Sequence, residues 1–131
     1  LGDVYKRQEN KFYLEQFKGM MRNSWARNVR GMKDMADVLA SIGRERQKNF
    51  LSYCQHLIRE NFMYRFQSPE LNYMNMNEAG FAVKFAPFIN ERNVIDIMDE
   101  LAKAERHVAQ NVNAKMIFFD LSLRLTVLIK R

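Results

Sequence analysis

Two histidines, one cysteine and a few grouped carboxylates are the side chains here that could carry catalysis or hold a metal. His56 and His107 fall on different expected helices. Neither has a cysteine or carboxylate at a ligand spacing such as His-Glu-x-x-His. Both read as histidines on helix surfaces. Cys54 lies on the apolar stripe of its helix, with no base placed to draw off its proton, and reads as a small buried hydrophobe. Asp96, Asp99 and Glu100 cluster on one helix, as do Asp34 and Asp37. Grouped carboxylates can serve acid–base or magnesium chemistry. Lysines and arginines flank both groups, so solvated helix faces are expected. The chain contains no Gly-x-x-x-x-Gly-Lys-[Ser/Thr] phosphate loop and no Gly-x-Gly-x-x-Gly. The expectation is no catalytic residue, no cofactor-binding residue and no metal ligand. By itself the chain is expected not to be an enzyme.

A different chemistry is open to the basic residues. Arg22, Arg27, Arg30 and Lys33 crowd the first two expected helices, with Trp25 and Tyr13 nearby, and Arg44, Arg46 and Lys48 follow. Cations interleaved with aromatics can bind nucleic acid. A basic helical nucleic-acid-binding module is therefore an alternative reading. The net charge of +6 also suits a soluble surface or an acidic protein neighbour. Lys and Arg are spread along the chain rather than massed in one run.

The elements that must position these residues are helical. With 131 residues the chain can build one domain around one core. Five Gly and two Pro leave room for long helices. Leu14, Phe17, Met21 and Trp25 mark a helix over 10–29. Gly31 interrupts it, and Met32, Met35, Leu39 and Ile42 mark a second. Gly43 suits the end of that helix. Phe50, Cys54, Leu57, Ile58, Phe62 and Phe66 line a third helix over 44–66, stopped by Ser68-Pro69. A loop over 67–76 leads to a fourth helix capped by Asn77, with Phe81, Phe85, Phe88 and Ile89 on one face and Pro87 near its end. Asn90 caps a fifth, with Glu91 in its first turn and Val94, Ile97, Met98, Leu101, Ala104 and Val108 on its apolar face.

The segment 113–130 fits two periods. Leu121, Leu123, Leu125 and Val127 alternate like a strand, whereas Ile117, Leu121, Leu125 and Leu128 fit a helix. No other segment offers a strand partner, so it reads as a sixth, central helix. Met116, Leu123 and Val127 give it a second apolar stripe, as on a helix packed between neighbours. The fold class is all-α, a single bundle of about six helices. One cysteine allows no internal disulfide, and a cytoplasmic location is expected. No stretch approaches a membrane span in length and apolarity, and no signal peptide is read at the start.

Residues 3–8, Asp-Val-Tyr-Lys-Arg-Gln, resemble one reading frame of the transposon mosaic end used as a sequencing adapter. On that resemblance residues 1–8 are a non-native scar, and residues 9–131 are the C-terminal part of a longer protein. Without Asp3, Lys6 and Arg7 the net charge falls only from +6 to +5.

Ala104-x-x-His107-x-x-x-Asn111-Val112-Asn113-Ala114-Lys115-Met116, running into Phe119-Asp120-Leu121-x-Leu123-x-Leu125, resembles the last two helices of the collar domain of clamp-loader subunits. Gly43-Arg44-Glu45-Arg46-Gln47-Lys48-Asn49-Phe50-Leu51, Arg59-Glu60-Asn61-Phe62, Glu70-Leu71-Asn72-Tyr73 and Phe85-Ala86-Pro87-Phe88-Ile89-Asn90 are similar to the delta-prime type of bacterial DNA polymerase III. The resemblance covers residues 9–131. It implies an oligomerisation domain whose partners are other clamp-loader subunits, in a pentameric collar that supports sliding-clamp loading during DNA replication. It also implies AAA+ modules upstream, which alone would meet DNA and the clamp. ATPase, arginine-finger and clamp-contact residues belong to those modules, and no residue here inherits such a role.

Overall fold

The computed structural model describes residues 2–66 and 89–129, with side chains at 4–60 and 89–129. Five helices run through them: α1 (Gly2–Ala26), α2 (Val29–Ala40), α3 (Arg44–Phe66), α4 (Val94–Ala109) and α5 (Ala114–Leu128). No strand occurs among the described residues. The all-α expectation holds, and the period-two pattern at 121–127 gives way to a helix. The expected helix starting at Asn77, the loop 67–76 and the Ser68-Pro69 stop lie outside the described residues.

Each helix buries one face. Tyr13, Leu14, Phe17, Met20 and Met21 turn inward from α1, Met32, Ala36 and Leu39 from α2, and Phe50, Leu51, Cys54, Leu57 and Ile58 from α3. Ile97, Leu101, Ala104 and Val108 do so from α4, and Ile117, Phe118, Leu121, Leu125 and Leu128 from α5. All belong to one core except Met32, which is buried apart from it. Helix α5 packs most heavily on α2 and α3 on α4, while α5 also meets α4 and α1. The aromatic rings of Tyr13, Phe50 and Phe118 link α1, α3 and α5, with centroids 5.9 and 6.0 Å apart. Burying such side chains stabilises the fold by roughly 1.5–3 kcal/mol each, against the entropy of ordering the chain.

The α1–α2 boundary differs from the expected one. The break falls at Arg27-Asn28, and Gly31 lies inside α2. Arg27 adopts the left-handed region (φ 56°). There the Asn28 N–H reaches the Asn23 carbonyl at 2.9 Å and the Arg27 N–H the Ser24 carbonyl at 3.4 Å. These two bonds form a Schellman closure, a place where glycine is usual. A Cβ in that region costs about 1 kcal/mol. The Asn28 side chain then opens α2 by accepting from the Gly31 N–H at 3.0 Å. Gly31 is kept small by its neighbours, because a Cβ there would stand 2.5 Å from Asn23 Oδ1 and 2.8 Å from Asn28 Nδ2.

The α4–α5 turn repeats this logic with a better-suited residue. Asn111 is left-handed (φ 66°), and the Val112 N–H donates to the His107 carbonyl at 3.1 Å. Asn113 then caps α5, accepting from the Met116 N–H at 3.2 Å. At the end of α2, the buried Gln47 side chain donates to the Leu39 and Ala40 carbonyls at 3.0 and 3.3 Å. It satisfies acceptors the helix end would leave orphaned. Gly43 follows at φ 92°.

Candidate functional site

Among the described residues, the chemistry-bearing side chains do not come together as a reactive set. His56 is exposed on α3, and His107 is half-buried on α4. Cys54 is fully buried, and burial pushes its thiol well above the ordinary range, which suits packing and not nucleophilic attack. Asp37 pairs with Lys115 at 3.6 Å, and Glu100 with Arg124 at 3.6 Å. Arg124 also holds Asp120 at 2.8 Å. These bridges are exposed or half-exposed and contribute little. Among the described residues no three His, Cys, Asp or Glu side chains gather as metal ligands. Glu60 is buried, and its Oε2 has no hydrogen-bond partner among the described residues. Sequence periodicity gave no sign of it, because Glu60 is a polar residue beside the apolar stripe of α3.

The surface that stands out is the outer side of α5. Its inner stripe, Ile117, Leu121, Leu125 and Leu128, is buried as the helical period requires. The second stripe is not covered. Met116 is 68% exposed, Leu123 39% and Val127 63%, and Val112 continues the patch before the helix begins. The expectation that both stripes would be packed between neighbours is corrected here. α5 does touch α1, α2 and α4, but those contacts are met by one broad face and leave the other open.

Met116 is the ridge between two shallow grooves. One lies between α4 and α5, about 240 Å³, lined in part by Glu100, Lys103, His107 and Val112. The other lies between α2 and α5, about 300 Å³, lined by Lys33, Ala36, Asp37, Lys115 and Phe119. Two grooves flanking a ridge of Met and branched apolar side chains suit the side chains of a packed protein element. Met20 and Met21 fill the core, Met32 is buried apart from it, and Met35 and Met98 pack partly against it, so Met116 is the methionine placed to act outside among those described.

The basic residues form a separate corner. Arg22, Arg27, Arg30 and Lys33 are all exposed at the α1–α2 boundary, and Trp25 beside them is 45% exposed. Tyr13, expected near this group, is instead buried in the core, where its hydroxyl donates to Glu9. No described helix is long and apolar enough to cross a membrane. Comparison with protein families, with curated proteins and with solved structures finds no match.

Proposed function

We propose that this chain is an assembly module, the C-terminal collar domain of a clamp-loader subunit of the delta-prime type, acting in the cytoplasm in DNA replication. The observation that carries the assembly reading is the uncovered stripe of Met116, Leu123 and Val127. Apolar surface of this kind, on a helix already anchored in a core, is what subunit contacts bury. The narrower family reading rests on the residues of the 104–125 segment, whose Asn111-Val112-Asn113 turn closes one helix and caps the next. In this reading the stripe and its two grooves receive helices of neighbouring subunits. DNA and the sliding clamp are met by modules upstream.

Co-expression with the other clamp-loader subunits, followed by size exclusion, tests the proposal. Co-elution in a stable complex is expected. A chain that elutes alone at micromolar concentration overturns it.

A further inference from the structure

The α1–α2 corner carries charge that the fold does not use. From Gln16 to Lys33 the sequence holds Lys18, Arg22, Arg27, Arg30 and Lys33 and no carboxylate. Lys18 pairs with Glu15 at 3.6 Å. The other four make no ion pair among the described residues. Asp34 lies one turn beyond Arg30 on α2 and is not bridged to it. Arg22 and Trp25 stand three residues apart on α1, hence on one face. Arg27 and Arg30 flank the turn that follows, so the group is contiguous.

Arg27 adds a second, independent sign. Its backbone takes the left-handed conformation of the Schellman closure, where glycine would fit without strain. The matching turn after α4 uses Asn111, a residue that tolerates this region. At the α1–α2 turn the chain accepts strain and adds a cation to an already cationic surface. An arginine kept where glycine would close the same turn without strain points toward a role for its side chain.

We propose that the corner formed by Arg22, Trp25, Arg27, Arg30 and Lys33 binds single-stranded nucleic acid. The arginines and the lysine contact phosphates, and the exposed indole stacks on a base. A single strand is favoured over a duplex because its unpaired bases present ring faces to Trp25. An acidic peptide would satisfy the charges but leave the indole without a stacking partner. This inference goes beyond the assembly reading, which leaves DNA to upstream modules, and does not depend on it: Arg22, Trp25, Arg27 and Arg30 line neither groove beside the α5 stripe, and Lys33 alone is shared with one of them.

Trp25 is the only tryptophan of the chain, so its fluorescence reports on the corner alone. Titration of the full chain with a short oligothymidylate at low salt is expected to quench that emission saturably. With four phosphate contacts, affinity falls about fifty-fold between about 50 and 200 mM salt. Arg27→Gly separates binding from folding. It is expected to lower the slope of log affinity against log salt by about 0.7 while raising the thermal midpoint by about 3 °C. Trp25→Ala, followed by anisotropy of a labelled strand, is expected to weaken binding about ten-fold. Unchanged fluorescence at low salt overturns the proposal. So does equal quenching by polyglutamate, which would indicate an acidic protein partner, or an Arg27→Gly variant that binds as tightly as the parent.

Discussion

The side chain of Asn93 ties the start of α4 to the end of α5. Its Nδ2 donates to the Leu128 carbonyl at 3.2 Å, and its Oδ1 accepts from the Asn90 N–H at 2.9 Å. Asn93 is fully buried, and it occupies the position before α4 without capping that helix. The capping expected of Asn90 takes another form, since its Oδ1 accepts from the Arg92 and Asn93 N–H groups at 2.8 and 3.1 Å, before the helix begins. Asn93→Ala removes a donor from a helix-end carbonyl and an acceptor from a loop amide. The expected cost is about 2 kcal/mol, read from urea denaturation. Asn93→Asp keeps the acceptor, loses the donor and should recover little at neutral pH. An unchanged midpoint in Asn93→Ala would show that water replaces both bonds.

Alkaline pH should destabilise the domain. Burial raises the Cys54 thiol well above its usual 9.0. Burial first, and then the hydrogen bond to Glu9, raise the Tyr13 phenol above its usual 10.0. In the unfolded chain both groups ionise near the ordinary values, whereas in the folded chain they stay protonated. The stabilisation is thus complete below pH 9 and is lost as pH rises through the folded-state values. Urea midpoints measured from pH 8 to above pH 10 should fall, and Cys54→Ala should flatten the first part of that fall. A flat profile in the parent chain would contradict the buried thiol.

The outer stripe of α5 should matter to association and not to folding. Leu123→Lys with Val127→Lys alters side chains that the folded chain leaves exposed. Stability should change by no more than about 0.5 kcal/mol. Co-elution with partner subunits should be lost. Loss of the thermal transition in this variant would mean that the stripe serves the domain's own core.

Residues 1–8 should be dispensable for stability. Positions 4–8 are exposed, and the first buried side chain is Tyr13. Deleting 1–8 should shift stability by less than about 0.5 kcal/mol. Extending the deletion through Tyr13 should cost about 3 kcal/mol, as expected for an aromatic lost from a core. Paired thermal melts of the two truncations give the comparison.

Much of the fold was readable because helical periodicity reports burial directly. The inner residues expected of α4 and α5 are the buried ones, apart from Val94 and Met98, which are only partly so. The sequence misled where apolarity had two possible explanations. A second stripe on α5 reads the same whether a neighbouring helix covers it or a partner must. Gly31 read as a breaker because glycine is a poor helix former, yet the break came earlier. Asn28 sets it, its N–H closing α1 on the Asn23 carbonyl and its side chain capping α2. The basic corner was visible as composition, but Arg27's conformation was not, since nothing in its type favours a left-handed backbone.

The place of α5 in the chain also bears on how the protein is made. Helices α1 and α2 leave the ribosome well before α5, yet both rest on it. Until α5 emerges, the faces of α1 and α2 that pack on it stay uncovered, and the Ser24 hydroxyl lacks the Ser122 carbonyl it reaches at 3.1 Å. Between the emergence of α2 and that of α5 the nascent chain therefore carries a half-built bundle, the condition in which chaperones are recruited. One helix, α5, thus supplies the surface on which α1, α2 and α4 all close.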